Sequence, residues 1–163
     1  MLINGGGLYG SLLLNEKGEI VMYIDHRTYT DYNGETRTED FYFNLDERDI
    51  TKMELGTRGG LDKVIEKITA EKDLPKIIEL FEQIIDASYG EKTVDGKHFI
   101  KDPENLKLFK STQAYSDLYM QLATDDKFAA EFINQVVPNS MKKGKQPQDH
   151  LQAGKVSNIT DKQ

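Results

Sequence analysis

The sequence predicts an α+β protein: a small N-terminal antiparallel β-meander packed on a mainly α-helical body of about five helices, followed by a disordered C-terminal tail. Two patterns predict this architecture. An Asn-Gly pair at 33–34 lies between β-prone runs, which is typical of a hairpin. After Leu45 the apolar residues recur instead at the helical spacing i, i+3, i+4 and i+7. We place the β-meander at 1–45, the helical body, in one compact unit with it, at 46–137, and the tail at 138–163.

The hairpin is predicted from its turn. Asn-Gly supplies the two positive-φ residues that a two-residue type I′ turn requires. With Asn33 and Gly34 as the central pair, Ile24 faces Phe43 and His26 faces Phe41. This register brings apolar residues together at the end far from the turn, and it predicts strands near 19–31 and 36–45. A further short strand within 8–14 leads into the hairpin through a turn at 15–18.

The helical body is predicted from its start signals. Asp, Ser and Thr side chains cap helix N-termini, and proline is favoured in the first turn. Asp73 and Asp102 are each followed by such a proline, at 75 and 103. The predicted starts are Asp46 or Asp49, Asp73, Asp102, Ser111 or Thr112, and Thr124, Asp125 or Asp126. A further helix in 61–72 is predicted from its apolar spacing alone.

The charge of the chain is unevenly distributed. There are 21 Lys and Arg against 28 Asp and Glu, a net charge of −7. Residues 138–163 hold five Lys and two Asp, which is +3, so residues 1–137 carry −10. This acidic balance argues against a general nucleic-acid binder, which needs a basic face. The tail has few large apolar residues, so we expect it to be disordered when free, or to order on a partner.

The sequence offers no catalytic or metal-binding pattern. His26, His98 and His150 have no ligand spacing, and the chain has no Cys. The glycines at 5–7 and 10 lack the Lys-Ser/Thr ending of a phosphate loop. No nucleophile–base arrangement of Ser or Thr is recognisable, and no apolar run is long enough to span a membrane. We therefore expect a soluble intracellular protein without enzymatic activity, cofactor, metal or membrane contact.

Aromatic residues in the C-terminal helices are the best candidates for binding a partner. They are spaced i, i+4 in two pairs and lie near other apolar residues. Such a cluster forms either a core or an open apolar groove that takes a partner helix. The candidate residues are Phe109, Tyr115, Tyr119, Phe128 and Phe132.

Two stretches carry a family resemblance. The first is TYTDYNGETRTEDFYFNL at 28–45, and the second starts at Ser88, runs through DGKHFIK at 95–101 and continues to QAYSDLYMQLATDDKFAAEFIN at 113–134. Taken together, they resemble the tail assembly chaperones of long-tailed bacteriophages. The resemblance covers roughly residues 20–138. It implies a non-enzymatic protein of the host cytoplasm that coats the tape measure protein in multiple copies, keeps it soluble and recruits tail-tube subunits. Such a protein is absent from the finished virion.

Two alternatives stay open at this point. One is a structural virion component, such as a neck or tail-completion protein. The other is a small phage-encoded enzyme or regulator. A further hypothesis is that the Met-Lys-Lys-Gly-Lys run at 141–145 is encoded by a slippery site that yields a longer, frameshifted form.

Overall fold

A computed structural model describes residues 2–7, 10–18, 20–55, 66, 70 and 72–137. Within these ranges the predicted α+β class is confirmed. The strands are β1 (Leu2–Gly7), β2 (Gly10–Leu14), β3 (Ile20–Thr30), β4 (Thr36–Phe43), β5 (Tyr89–Lys92) and β6 (Phe99–Ile100). The helices are α1 (Glu47–Leu55), α2 (Leu74–Ser88), α3 (Pro103–Lys110), α4 (Gln113–Thr124) and α5 (Asp126–Val136). The predicted tail at 138–163 and most of the predicted helix at 61–72 lie outside the described residues.

The strands form an antiparallel sheet in the order β1-β2-β3-β4-β5-β6. The first four follow one another as a meander, of which the sequence predicts β2, β3 and β4 but not β1. The last two come from the chain after α2, and β5 joins the sheet by pairing Gly90 with Tyr42 and Tyr89 with Phe43. The sheet is therefore not confined to residues 1–45.

The predicted register of the β3–β4 hairpin is wrong by one residue. The structure pairs Tyr23 with Phe43 and His26 with Asp40. The reason is the turn, in which Asp31 N–H donates to Glu35 O at 2.8 Å and Gly34 N–H donates to Asp31 O at 3.0 Å. Gly34 alone has a positive φ here, of 79°. The loop is therefore the three-residue type with glycine in the left-handed position.

The corrected register decides which side chains face the helices. A shift of one residue exchanges the two faces of a strand. The core contains Tyr23, Tyr29, Phe41 and Phe43, and Phe43 is fully buried. Its ring centroid lies 5.5 Å from that of Phe132 and 6.1 Å from that of Phe109, so the sheet and helices share one aromatic core.

The helix starts follow the predicted capping residues. At each one, a side-chain oxygen accepts a hydrogen bond from an N–H in the first turn, which satisfies a donor that the helix itself leaves free. Asp46 and Asp49 cap α1 by exchanging such bonds at 3.0 and 3.1 Å. The caps of α2 to α5 are Asp73, Asp102, Thr112 and Asp125.

Candidate partner-binding surfaces

The structure places the five candidate aromatic residues on α3, α4 and α5. Four of them belong to the core, and only Tyr119 is partly buried at its edge. The centroids of Phe109 and Tyr115 are 5.5 Å apart, and those of Phe128 and Phe132 are 6.3 Å apart. The sequence left two interpretations of these residues open, a core or an open groove. For these four residues the structure favours the core, which shapes the neighbouring surface. Their role in partner binding stays a prediction.

Tyr115 carries an unusual hydroxyl. It is buried and has no hydrogen-bond partner among the described residues. The pKa of Tyr115 is raised to about 12, mainly by burial, and the nearby carboxylates of Glu82 and Asp86 act in the same direction. An unsatisfied buried hydroxyl costs folding free energy, since it has left water without replacing the hydrogen bonds lost there.

An apolar groove lies beside this core, between α2, α4 and α5. It encloses about 410 Å³. Leu74 at one end is 53% exposed, while Ile77 and Ile133 are half-buried along its walls. Three alanines on α4 and α5 give the groove a lining of small side chains, so the backbone of a bound segment can approach these helices closely. They are Ala123, Ala129 and Ala130.

The charged residues that line this groove are few. Lys72 and Asp126 are both exposed. An apolar groove with a sparse charged rim matches the apolar stripe of an amphipathic helix, which presents residues at i, i+3, i+4 and i+7. The sequence placed the candidate binding surface on the large aromatic residues. Along the groove the structure places smaller apolar side chains, of which Leu74 and Ala130 are exposed.

Ser11, His26 and Asp40 form a hydrogen-bonded line across β2, β3 and β4. Ser11 Oγ lies 2.7 Å from His26 Nε2, and His26 Nδ1 lies 2.5 Å from Asp40 Oδ1. No such arrangement is recognisable in the sequence, because the three residues are far apart in the chain and the predicted register puts His26 opposite Phe41. In hydrolases this order of groups activates a serine nucleophile.

The burial of Ser11 argues for a structural role of this line. Ser11 is 1% exposed, so a substrate carbonyl has no approach to its Oγ in this structure. The two bonds connect three neighbouring strands on the sheet face opposite the aromatic core. They satisfy the buried hydroxyl of Ser11, which stabilises the β2–β3 register.

A buried ion pair lies on the helix-facing side of β3. Arg27 Nε donates to Asp25 Oδ2 at 2.8 Å, and Arg27 Nη2 donates to Gln121 Oε1 on α4 at 3.0 Å. Asp25 is 0% and Arg27 is 7% exposed. Burial raises the pKa of Asp25 from its usual value, while its hydrogen bonds from Arg27 act in the opposite direction. Nothing in the sequence pattern predicts this pair, because both residues interrupt an otherwise apolar face of the strand.

The described residues show no grouping that suggests metal chemistry. Among them, no cluster of three or more His, Cys, Asp or Glu side chains is placed to hold a metal ion. His26 lies on β3 and His98 precedes β6, whereas His150 is outside the described ranges. None of the helices in those ranges is both long and apolar enough to cross a membrane.

Comparison with known proteins gives one match. A family model described as phage tail assembly chaperone matches residues 22–163, from β3 to the last residue. No curated protein and no solved structure matches significantly.

Proposed function

Because the chain belongs to the phage tail assembly chaperone family, we propose that it binds the tape measure protein, keeps it soluble and recruits tail-tube subunits during tail assembly. The observation that supports the binding step is the apolar groove between α2, α4 and α5. The proposed occupant is an amphipathic helical segment of the tape measure protein. Its apolar stripe would cover Leu74, Ile77 and Ile133.

The charge of the protein supports the proposed solubilising role. Residues 1–137 carry −10. Several copies bound along one tape measure protein would repel neighbouring complexes, which keeps long apolar helices apart in solution. The proposal places this assembly in the host cytoplasm, with no catalytic step, and the chaperone leaves before the virion is complete.

Co-expression with the tape measure protein of the same phage tests the proposal. We expect the tape measure protein to remain soluble and to co-purify with the chaperone. Ala130→Arg places a long charged side chain at an exposed position of the groove, and it should reduce the soluble complex at least fivefold. Ser116→Arg, at an exposed position of α4 outside the groove lining, is the matched control.

Two results would contradict the proposal. A tape measure protein that stays insoluble with the wild-type chaperone would overturn the chaperone function. Equal solubility with Ala130→Arg and Ser116→Arg would overturn the groove as its binding surface. Mass spectrometry of purified virions tests the alternative of a structural component, since that alternative requires a stoichiometric amount of this protein in the particle.

A further inference from the structure

Among the described residues, one edge of β4 has no neighbouring strand over most of its length. On the side away from β3, β4 pairs with β5 only through Tyr42 and Phe43. Beyond that point β5 turns away and pairs with β6, through Glu91 and Ile100. In the part of the chain that the structure describes, residues 36–41 therefore have no strand neighbour on this side.

The direction in which the backbone N–H and C=O groups of β4 point follows from the hairpin turn. Asp31 and Glu35 form a hydrogen-bonded pair at the turn. In an antiparallel ladder, hydrogen-bonded residue pairs alternate with pairs that are not hydrogen-bonded. The backbone N–H and C=O groups of Arg37, Glu39 and Phe41 therefore point to β3. The N–H and C=O groups of the alternate residues 36, 38 and 40 then point away from it. They are the donors and acceptors that an added strand uses.

The open edge borders a cleft of about 660 Å³ between β4, β5 and α3. Leu108 of α3, which is 64% exposed, offers it an apolar contact. Apart from tyrosines, four ionisable side chains line the cleft. Three are carboxylates and one is an amine: Glu39, Asp40, Glu91 and Lys92. The cleft therefore combines strand-pairing groups with a net negative charge, and it suits an extended basic segment.

We propose that the C-terminal segment 138–163 of the same chain occupies this cleft as an added strand on β4. The segment carries +3, which complements the carboxylates of the cleft. Residues 155–160, Lys-Val-Ser-Asn-Ile-Thr, contain the β-branched side chains that suit a strand. A second copy of the β4 edge is a poorer occupant, because it would bring the negatively charged linings of two such clefts together.

The length of the segment permits this contact within one molecule. Phe132 of α5 contacts Phe43, and Phe43 contacts Tyr89 at the cleft, with centroid distances of 5.5 and 5.9 Å. Helix α5 ends at Val136, one turn beyond Phe132. A segment of 26 residues (138–163) reaches about 86 Å when fully extended, far more than this span needs. Tethering gives such a contact an effective concentration of about millimolar, which favours it over the same contact between molecules.

Amide hydrogen exchange of the full chain, measured by NMR, tests the occupied edge. We expect the outward amides of Thr38 and Asp40 to exchange at least tenfold more slowly than that of Thr36, which points outward but does not line the cleft. Glu91→Lys should abolish this difference. Glu79→Lys, an equal charge change at an exposed position of α2, should leave it intact. Equal exchange at the three wild-type amides would overturn the proposal.

A spin label tests which segment is bound. The chain has no Cys, so Ser157→Cys gives a single attachment point. A nitroxide there should broaden the amide signals of Asp40 and Lys92 at least twofold more than those of the hairpin turn. Broadening in an unlabelled ¹⁵N chain mixed with labelled ¹⁴N chain would instead identify a second copy as the donor, and uniform broadening would show no docking. Both results overturn the proposal. Neither measurement requires the tape measure protein, so its outcome is separate from that of the proposed function.

Discussion

At the scale of single residues, one carboxylate decides the hairpin register. Asp31 Oδ1 accepts hydrogen bonds from the N–H groups of Asn33 and Glu35, both at 2.9 Å. These bonds support the three-residue loop, whereas the Asn-Gly pair taken alone predicts a two-residue loop. The ion pair with Arg37 and these backbone bonds lower the pKa of Asp31. Asp31 is visible in the sequence. A sequence pattern does not show, however, whether its contacts favour the two-residue or the three-residue loop.

Asp25 and Arg27 in the core are a second example of contacts that a sequence pattern does not predict. An apolar pattern predicts that a strand is buried but does not say how a charge within it is satisfied. Here the carboxylate, the guanidinium and Gln121 satisfy one another, and the Arg27 guanidinium carbon also lies 6.0 Å from the centre of the Phe128 ring. Each of these groups therefore depends on the others.

Arg27→Met should destabilise the protein strongly, because it leaves the Asp25 carboxylate buried without its partner. Breaking a buried ion pair on one side costs about 3–5 kcal/mol. The double variant Asp25→Leu with Arg27→Met removes both charges, and we expect it to recover most of that loss. Urea unfolding of the wild type and both variants measures the effect. A double variant as unstable as Arg27→Met would contradict this account of the pair.

At the scale of secondary structure, the elements with local signals were predictable and those that depend on distant contacts were not. Helices α2 and α3 begin where an Asp followed by Pro predicts them. Strands β5 and β6 lack such a signal: they are short and become strands only because Tyr89 and Gly90 meet the end of β4. A local sequence pattern does not predict pairing between residues that are more than 40 positions apart in the chain.

Gly90 is the residue on which β5 and β6 depend. A Cβ atom at this position would lie 2.6 Å from the Phe99 ring and 2.9 Å from the Ile100 carbonyl oxygen. We expect Gly90→Ala to force β6 away from β5 and to destabilise the fold by about 1–3 kcal/mol, the usual cost of overpacking.

Urea unfolding measures the stability of Gly90→Ala, and NMR contacts between Lys92 and Phe99 report the β5–β6 pairing. Glu79→Ala, at an exposed position of α2, should leave both nearly unchanged. Wild-type stability in Gly90→Ala would mean that β6 shifts at no cost, and the close approach would then have no structural importance.

At the scale of the whole molecule, the same aromatic residues that suggested a binding surface build the interior. The sequence shows that aromatic side chains cluster in the C-terminal helices, but not which side of the cluster the sheet covers. Phe41 and Phe43 of β4 cover Phe109, with centroid distances of 4.9 and 6.1 Å. Among the described residues, this packing leaves an aliphatic groove uncovered between α2, α4 and α5. The proposed tape measure site depends on tertiary packing in this way.

This aromatic interior should make the protein sensitive to alkali. Burial is the main cause that raises the pKa of Tyr23, and it raises those of Tyr29, Tyr89 and Tyr115 to about 12. In the unfolded chain a tyrosine ionises near pH 10. Each raised pKa therefore contributes stability that is fully present below pH 10 and is lost as the pH rises from 10 towards 12.

We expect the free energy of unfolding to fall steeply above pH 10, with these tyrosines ionising only as the fold opens. Urea unfolding between pH 8 and 11, together with tyrosinate absorption, measures both changes. Tyr115→Phe removes one such group and its unsatisfied hydroxyl, so it should be at least as stable as the wild type at pH 8 and lose less stability by pH 11. Tyr32→Phe, at a position 77% exposed, is the matched control and should follow the wild type. Full ionisation while the near-ultraviolet circular dichroism of the fold is retained would show that these hydroxyls reach water without unfolding, and it would contradict the role of the aromatic core as one closed unit.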